Sequence, residues 1–252
     1  MKSEKEMRVL SLFDGMSCGQ LALKKAGIKV DQYFASEIDK YAIKVTQANF
    51  PNTIQLGDVQ NVTPDQVGKI DLLIGGSPCQ GFSFAGKQLN FEDPRSKLFF
   101  EYVRLLKELK PKYFLLENVR MKKESQDVIS NFLGVEPIAI NSSLVSAQNR
   151  YRLYWTNIPN VTEPEDKGIV LQDVLENGVT DRDKSHCIDA NYFKGGNLKS
   201  YFEKHRRQLV FSKDGLCHVG DADIKGNDTV RRVYHPEGKS PTLTTMGGGH
   251  RE

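Results

Sequence analysis

Three short motifs contain the residues whose types and spacing could do chemistry. Cys79 follows a proline in GGSPCQGFS, Glu117 opens the stretch ENV, and Gln148, Arg150 and Arg152 alternate in QNRYRLYW. A thiolate is a soft, strong nucleophile that suits an electron-poor carbon. A carboxyl in a dry crevice can deliver or hold a proton, and arginines on one strand face can hold that carboxyl or grip an oxygen. The plain alternatives are a core thiol and surface charges on an edge strand.

A second group of motifs predicts a binding site for a nucleoside. The first predicted strand leads into SLFDGMSCGQLAL, where Gly15 and Gly19 allow a tight turn into a helix. Because these glycines do not match G-x-G-x-x-G, the pyrophosphate fingerprint of dinucleotide enzymes is absent. Glu37 follows the next strand about twenty residues later, where open α/β sheets present an acid to a ribose hydroxyl. Asp58 follows a third strand end; either acid could instead cap a helix or lie at the surface.

These motifs need a sheet that brings their strand ends together. Short apolar runs alternate with helical patterns from Met7 to Thr156, which is typical of a parallel sheet covered by helices. The clearest helix runs from Arg95 to Lys110, where leucines recur at helical spacing before Pro111. The predicted strands are 7–13, 30–36, 70–75, 112–117, 136–141 and 151–156. We therefore predict an α/β fold with a Rossmann-like, doubly wound, mostly parallel sheet.

The pattern changes after Pro159. The chain becomes polar and turn-rich, a short helix is predicted at 170–176, and later strands are short and separated by Gly, Asn and Asp. We predict a catalytic, cofactor-binding domain over residues 1–159 and a smaller, loop-rich, β-leaning region over 160–252. The net charge is +3, and all five histidines lie in the second region. A small, localised positive charge of this kind suits contact with a polyanion.

The cysteines and the apolar runs exclude other classes of protein. Four cysteines without regular spacing, and without a signal peptide, predict reduced thiols in a cytoplasmic protein. Cys187 and Cys217 each stand beside a histidine, but there is no C-x-x-C pair, so we expect no metal site. No apolar run reaches the roughly 20 residues that a membrane helix needs.

Taken together, the motifs resemble those of the cytosine-5 DNA methyltransferases. LFDGMSCGQLAL, SEID, GDV, GGSPCQGFSFAGK, FEDPRSKLFFEYVRLL, ENV and QNRYRLYW occur in that family's order and spacing, between Met7 and Thr156. The resemblance implies the methyltransferase fold and methyl transfer from S-adenosylmethionine to carbon 5 of a cytosine flipped out of duplex DNA. It also implies a covalent adduct of Cys79 at carbon 6 and protonation at ring nitrogen 3 by Glu117. Arg152 would hold the carbonyl oxygen, and Arg150 would support Glu117 or its loop.

The resemblance implies binding residues as well. At the cofactor it implies Phe13, Gly15, Glu37, Ile38, Asp58, Val59, Pro78 and Leu98. At the DNA it implies Ser83, Lys87, Arg95, Gln148, Arg231, Arg232, Thr242 and Thr244. In this scheme Phe13 stacks on the adenine, Glu37 takes the ribose hydroxyls and Asp58 meets the exocyclic amine. The expected partner is double-stranded DNA, and a cognate restriction endonuclease is a further expectation.

One departure from the family pattern concerns the end of the chain. Before Glu252 there is neither the R-x-L-T-x-x-E-x-x-R-L-Q-G-F-P segment nor the G-N-S-V helix. We therefore expect a C-terminally incomplete enzyme that is weakly active or inactive alone, or that a C-terminal fragment complements. LVSAQNRYRLYWTN is closer to phage and eukaryotic de novo members, and we expect a bacterial or phage-encoded protein.

Three other functions compete with this interpretation. A tRNA cytosine-5 methyltransferase would use the same catalytic residues, and a non-catalytic DNA-binding relative would tolerate the missing segments. A dinucleotide-dependent oxidoreductase would also explain the alternation of strands and helices. It would, however, leave Pro78, Cys79 and the arginine motif without a use.

Overall fold

The structure is a computed structural model of the 252-residue chain. It describes residues 7–78, 94–188, 201, 203, 208–211, 218–221 and 232–234. For residues 94–96, 218–221 and 232–234 it describes the backbone alone.

A seven-stranded sheet carries the predicted motifs. Its strands are β1 (Met7–Leu12), β2 (Val30–Ser36), β3 (Ile54–Gln55), β4 (Leu72–Gly75), β5 (Tyr113–Val119), β6 (Ile138–Asn141) and β7 (Tyr151–Thr156). The strand order is β3-β2-β1-β4-β5-β7-β6. The pairs from β3 to β5 are parallel, and β5 pairs with β7 in the antiparallel direction. The predicted Rossmann-like, mostly parallel sheet is confirmed.

Five α-helices are described beside the sheet. They are α1 (Cys18–Lys25), α2 (Lys40–Asn49), α3 (Pro64–Val67), α4 (Pro94–Leu109) and α5 (Lys123–Leu133). Helix α2 is capped by Asp39, whose carboxylate accepts hydrogen bonds from the backbone N–H groups of Tyr41 and Ala42 at 2.8 and 2.9 Å. These two bonds hold the pKa of Asp39 below its usual range. Helix α4 follows the predicted stripe and ends before Pro111.

The core covers both faces of the sheet because side chains alternate along each strand. Along β1, Leu10 and Leu12 pack with buried residues of α4, β5 and β7, whereas Val9 packs on the other face beside Tyr33. Trp155 is fully buried, and its indole N–H donates to Ser130 Oγ at 3.0 Å. The central strands are therefore fixed from both sides, as a doubly wound fold requires.

Contacts divide the chain into two compact units. The first unit comprises residues 1–140 and 151–163, and the second comprises residues 141–150 and 164–252. Within the second unit the two segments are bonded to each other: the N–H of Ser185 donates to the Ala147 carbonyl at 2.7 Å. The Lys184 ammonium donates to the carbonyls of Ser143 and Ser146 at 2.6 and 3.3 Å. The sequence predicts one boundary at 159/160, whereas the contacts also assign 141–150 to the second unit.

The second unit contains little regular structure among its described residues. A 3₁₀ helix covers Leu171–Val174, where the sequence predicts a short helix. Strands β8 (His218–Asp221) and β9 (Arg232–Tyr234) pair in the antiparallel direction. In the described part of the chain, no helix has the length and apolar character needed to cross a membrane.

Candidate active site

A cavity of about 220 Å³ opens in the first unit, where β1, β2, β3 and β4 end. Its lining residues are Phe13, Ser36, Glu37, Ile38, Gly57, Asp58, Val59, Pro78 and Leu98. Seven of the eight residues predicted for the cofactor are among them. The carboxyl ends of parallel strands are where open α/β sheets bind ligands. The structure thus brings together residues that are up to 85 positions apart in the sequence, from Phe13 to Leu98.

The turn between β1 and α1 has an unusual backbone. Phe13, Gly15 and Ser17 have φ angles of 57°, 58° and 59°, so alternate residues lie in the left-handed region. For a residue with a side chain, this conformation costs about 1–2 kcal/mol. Glycine avoids the penalty at position 15, but Phe13 and Ser17 do not. Such strain persists only where the surroundings over-determine it, and it is concentrated at functional sites.

Glu37 is fixed by backbone N–H groups from two strand ends. Its Oε1 accepts hydrogen bonds from Ile38 and Asp39 at 2.8 and 2.9 Å, and its Oε2 accepts one from Gly15 at 2.8 Å. An ionised carboxylate has about four acceptor positions, so these bonds leave about one for a ligand hydroxyl. Gly15, the eighth residue predicted for the cofactor, bonds to Glu37 and is not part of the cavity wall.

Asp58 caps a helix, which is one of the alternatives that the sequence leaves open for it, and it also lines the cavity. Its carboxylate accepts from the backbone N–H of Gln60 at 3.0 Å and so caps the 3₁₀ helix Val59–Asn61. The same side chain lines the cavity. Beside it on the lining lies Ile38, which is 75% exposed. An apolar side chain left this open at a concave wall offers a contact surface for a flat or apolar ligand.

Glu117 and Arg152 form an ion pair on neighbouring strands. Arg152 Nε lies 2.7 Å from Glu117 Oε1, and the two side chains are only 15% and 30% exposed. Within the described residues the Nε–H has no acceptor in line, so the contact is an ion pair without a directed hydrogen bond. The pairing of β5 with β7 sets this arrangement, because it places Arg152 opposite Val119. Val119 is two residues from Glu117 on β5, so the two side chains lie on the same face of the sheet as Arg152. The structure brings this predicted catalytic pair together.

Gly76 closes the other side of the Glu117 carboxylate. A Cβ at Gly76 would lie 3.3 Å from Glu117 Oε2, so the chain after β4 passes the carboxylate as closely as a glycine permits. Glu117 is thus held between a guanidinium and the strand that leads to Cys79.

Asn118 is a functional candidate that the sequence reasoning missed. It is 3% exposed, and its side-chain amide donates to the Ser77 carbonyl at 3.2 Å. Its own oxygen accepts from the Val119 N–H at 2.9 Å, which fixes the side chain. Ser77 stands two residues before Cys79, so Asn118 anchors the backbone from which the thiol follows. The signal that could have revealed it is an asparagine at the end of an apolar strand, directly after the predicted catalytic glutamate.

One part of the arginine prediction is wrong. Gln148 and Arg150 do not alternate with Arg152 along a strand, because β7 begins only at Tyr151. Side chains of the preceding segment take up their backbone groups instead: Asn141 Oδ1 accepts from the Arg150 N–H at 2.9 Å, and Ser142 Oγ donates to the Gln148 carbonyl at 2.8 Å. In the second unit the Arg150 guanidinium donates to Cys187 Sγ at 3.4 Å.

Other predicted residues cannot be placed in the fold. Cys79, Ser83, Lys87, Arg231, Thr242 and Thr244 lie outside the described residues. Arg95 and Arg232 are described only by their backbone, in α4 and β9. Among the side chains that are described, no group of three or more His, Cys, Asp or Glu could hold a metal ion.

The sheet order and the strand-end cavity are those of a Rossmann-like methyltransferase fold. A solved structure with this fold is a mutant of DNMT2 from Spodoptera frugiperda, with a TM-score of 0.60 and 23% identity. The match covers 75% of this chain and 72% of that protein.

The family follows from sequence comparison. The family model of the C-5 cytosine-specific DNA methylases matches residues 7–208. The chain belongs to this family, and it is therefore a DNA (cytosine-5) methyltransferase. Its family uses S-adenosylmethionine as the methyl donor in general, and its substrate is DNA.

Two phage relatives span nearly the whole chain. The orphan methyltransferase M.SPBetaI of Bacillus phage SPbeta is 30% identical, over 98% of this chain and 73% of its own length. M.Rho11sI of Bacillus phage rho11s is 28% identical, over 98% of this chain and 68% of its own length. These alignments extend over 325 and 344 positions, so the relatives contain residues inside the matched span that this chain lacks.

Proposed function

We propose that this methyltransferase binds S-adenosylmethionine in the strand-end cavity and attacks the target cytosine through the Cys79 thiolate. One observation carries the proposal. Seven residues predicted for the cofactor from scattered motifs line a single cavity, and Pro78, which directly precedes Cys79, is one of them. The nucleophile therefore follows in the chain directly from the wall of the proposed cofactor site.

The residues of the cavity fit an adenosine group. Phe13 offers an aromatic face for a purine, Glu37 offers a fixed acceptor for a ribose hydroxyl, and Asp58 offers an acceptor for an exocyclic amine. The volume lies below the roughly 300–1,000 Å³ of pockets for drug-sized ligands, which suits a nucleoside better than a dinucleotide. When bound, S-adenosylmethionine would supply a methyl group on a positively charged sulfur.

The proposed catalysis starts from the weak nucleophilicity of carbon 5 of cytosine. The Cys79 sulfur forms a bond to carbon 6, and the electron pair of the 5,6 double bond becomes available at carbon 5. Glu117 gives a proton to ring nitrogen 3 and so accepts part of the displaced charge. Once carbon 5 carries the methyl group, it loses its proton to a base, the double bond re-forms, the Cys79 thiolate leaves, and ring nitrogen 3 returns its proton to Glu117.

Arg152 takes a different proposed role from the one that the resemblance implies. Its ion pair with Glu117 at 2.7 Å supports a function in orienting the carboxylate. A contact with the cytosine carbonyl oxygen would use another nitrogen of the same guanidinium, which has five N–H donors. Arg150 stays a predicted supporting residue.

The proposed substrate is a cytosine in duplex DNA that leaves the stack, since a paired base cannot reach a crevice of this kind. The residues predicted to contact DNA stay predictions from the sequence, as does a cognate restriction endonuclease.

The decisive experiment compares two cysteine variants in a host without cytosine methylation. Cys79→Ser should abolish 5-methylcytosine in bisulfite sequencing, whereas Cys18→Ser, which changes an exposed thiol in α1, should leave the pattern unchanged. Modified cytosines that persist in the Cys79→Ser strain would overturn the assignment of the nucleophile.

A second measurement tests the cavity and the substrate. Glu37→Ala should weaken binding of S-adenosylmethionine to the purified chain by at least about tenfold in calorimetry, because it removes the fixed acceptor. Unchanged affinity would refute the cofactor site. Parallel assays with duplex DNA and tRNA should show methyl transfer to DNA; transfer to tRNA alone would refute the proposed substrate.

A further inference from the structure

The turn that carries Phe13 is stabilised by a carboxylate that lies outside the cavity lining. Asp14 Oδ1 accepts a hydrogen bond from the Tyr33 hydroxyl at 2.8 Å, and Asp14 Oδ2 accepts one from Ser17 Oγ. The backbone of the same residue is also engaged: its N–H donates to the Ser36 carbonyl at 3.2 Å, and its carbonyl accepts from the Ser17 N–H at 3.1 Å. Asp14 therefore connects β2 with the turn after β1 and with the start of α1.

Tyr33 is built into the sheet as a fixed donor. It lies on β2, opposite Val9 of β1, and is 2% exposed. Burial, together with the nearby Asp14 carboxylate, raises the pKa of the Tyr33 hydroxyl, so it stays protonated and able to donate. Gly19 provides the necessary room, since a Cβ there would lie 3.2 Å from the hydroxyl oxygen.

These contacts stabilise the two strained residues of the turn. Ser17 is fully buried in the left-handed region, and both its side chain and its N–H bond to Asp14. Phe13, the other left-handed residue with a side chain, directly precedes Asp14. A hydrogen bond from a buried phenol to a carboxylate is among the stronger ones in proteins. Without this hydrogen bond, the turn loses one of the contacts that hold Phe13 and Gly15 in the left-handed region.

We propose that Tyr33 and Asp14 form a positioning pair that holds the cofactor turn, so that Phe13 lines the cavity and the Gly15 N–H reaches Glu37. The pair acts through the turn and contacts no reacting atom. The inference rests on the proposed function, because it takes the cavity to be the S-adenosylmethionine site. It predicts an effect on cofactor affinity that a merely structural tyrosine would not have.

The test compares two buried tyrosines in the full chain. Tyr33→Phe removes only the hydroxyl and should raise the Kd for S-adenosylmethionine about tenfold, which corresponds to 1.4 kcal/mol. Its kcat at saturating cofactor and DNA should stay within about twofold of the unaltered chain. The matched control is Tyr102→Phe, because Tyr102 is fully buried in the core and packs on Gly75. This control should leave the Kd unchanged.

A double variant tests whether the two residues act as a pair. Asp14→Ala should also raise the Kd, and Tyr33→Phe should add little in the Asp14→Ala background, because each change removes the same bond. Independent, multiplying effects would overturn the pairing. If Tyr33→Phe lowers the melting temperature but leaves the Kd unchanged, the inference is wrong while the proposed function stands. If the unaltered chain does not bind S-adenosylmethionine, the proposed function itself fails.

Discussion

Gly76 is the position at which a single methyl group tests the placement of Glu117. In a Gly76→Ala variant the new Cβ would lie 3.3 Å from Glu117 Oε2 and 3.8 Å from the Glu117 carbonyl oxygen. The shorter contact is tight, so the carboxylate must shift by a few tenths of an ångström. Its other oxygen is held at 2.7 Å by Arg152, so the shift disturbs the ion pair as well.

The expected magnitudes separate catalysis from stability. A misplacement of 1 Å can reduce a rate about 10²-fold, so a few tenths of an ångström should lower kcat by about three- to tenfold. The backbone of Gly76 is not left-handed, and alanine is therefore compatible with it. Because alanine restricts the unfolded chain, the free energy of unfolding should stay constant or rise by up to about 1 kcal/mol.

The neighbouring glycine provides the matched control. A Cβ at Gly75 would lie 3.0 Å from the Tyr102 ring and 3.1 Å from the Leu12 carbonyl oxygen, which belongs to the paired strand. Gly75→Ala should therefore destabilise the fold by about 1–3 kcal/mol. Single-turnover methylation of duplex DNA and urea unfolding would be measured for both variants. A Gly76→Ala protein with the unaltered rate would refute the reasoning about Glu117.

Three further changes test the site and the second unit. Arg152→Leu removes the ion pair with Glu117 and should lower the single-turnover rate by about 10²-fold, whereas Arg152→Lys keeps a positive charge and should lose less of the rate. Equal rates for the two variants would contradict the orienting role. Asn118→Ala leaves the buried Ser77 carbonyl without its donor and should reduce the free energy of unfolding by about 1–3 kcal/mol in urea, together with the rate; an unchanged rate would argue against anchoring. Hydrogen bonds from Arg182 lower the pKa of Asp181 from 3.8 to about 2. Because this pKa is depressed, ionised Asp181 stabilises the fold above about pH 4, and this contribution is lost as the pH falls towards 2. The difference in free energy of unfolding between the unaltered chain and Asp181→Asn should therefore shrink from about pH 4 to about pH 2. A difference that stays constant would exclude the linkage.

The sheet was predictable wherever its strands have a local pattern. The predictions at 30–36 and 151–156 agree with β2 and β7 at both ends, because these runs are rich in aromatic, β-branched and other apolar residues. The bounds of strand β3 could not be predicted in the same way, although a strand end is expected before Asp58. The strand consists of Ile54 and Gln55 alone and forms through pairing with Phe34 and Ala35, which a local pattern does not show.

The site was predictable only in part, for a related reason. Motifs name residues at strand ends, so the carboxylates and the ion pair could be expected from the sequence. Contacts that depend on which strands become neighbours cannot be predicted from a local pattern. Tyr33 on β2 bonds to Asp14 in the turn after β1, and Asn118 on β5 bonds to Ser77 in the segment after β4. At Arg150 the error is the opposite one, since a local pattern was present but misleading. The alternating residues predict a strand, whereas the Arg150 N–H donates to the side chain of Asn141.

The second unit consists of two stretches of chain, and this has a consequence for protein engineering. A graft of residues 164–252 onto another methyltransferase would bring the Lys184 ammonium without the carbonyls of Ser143 and Ser146. The ammonium would keep only the Ile169 carbonyl of its three acceptors, so such a chimera should fold less stably. The smallest transferable cassette therefore includes residues 141–150, which run in the sequence from the last residue of β6 to the residue before β7.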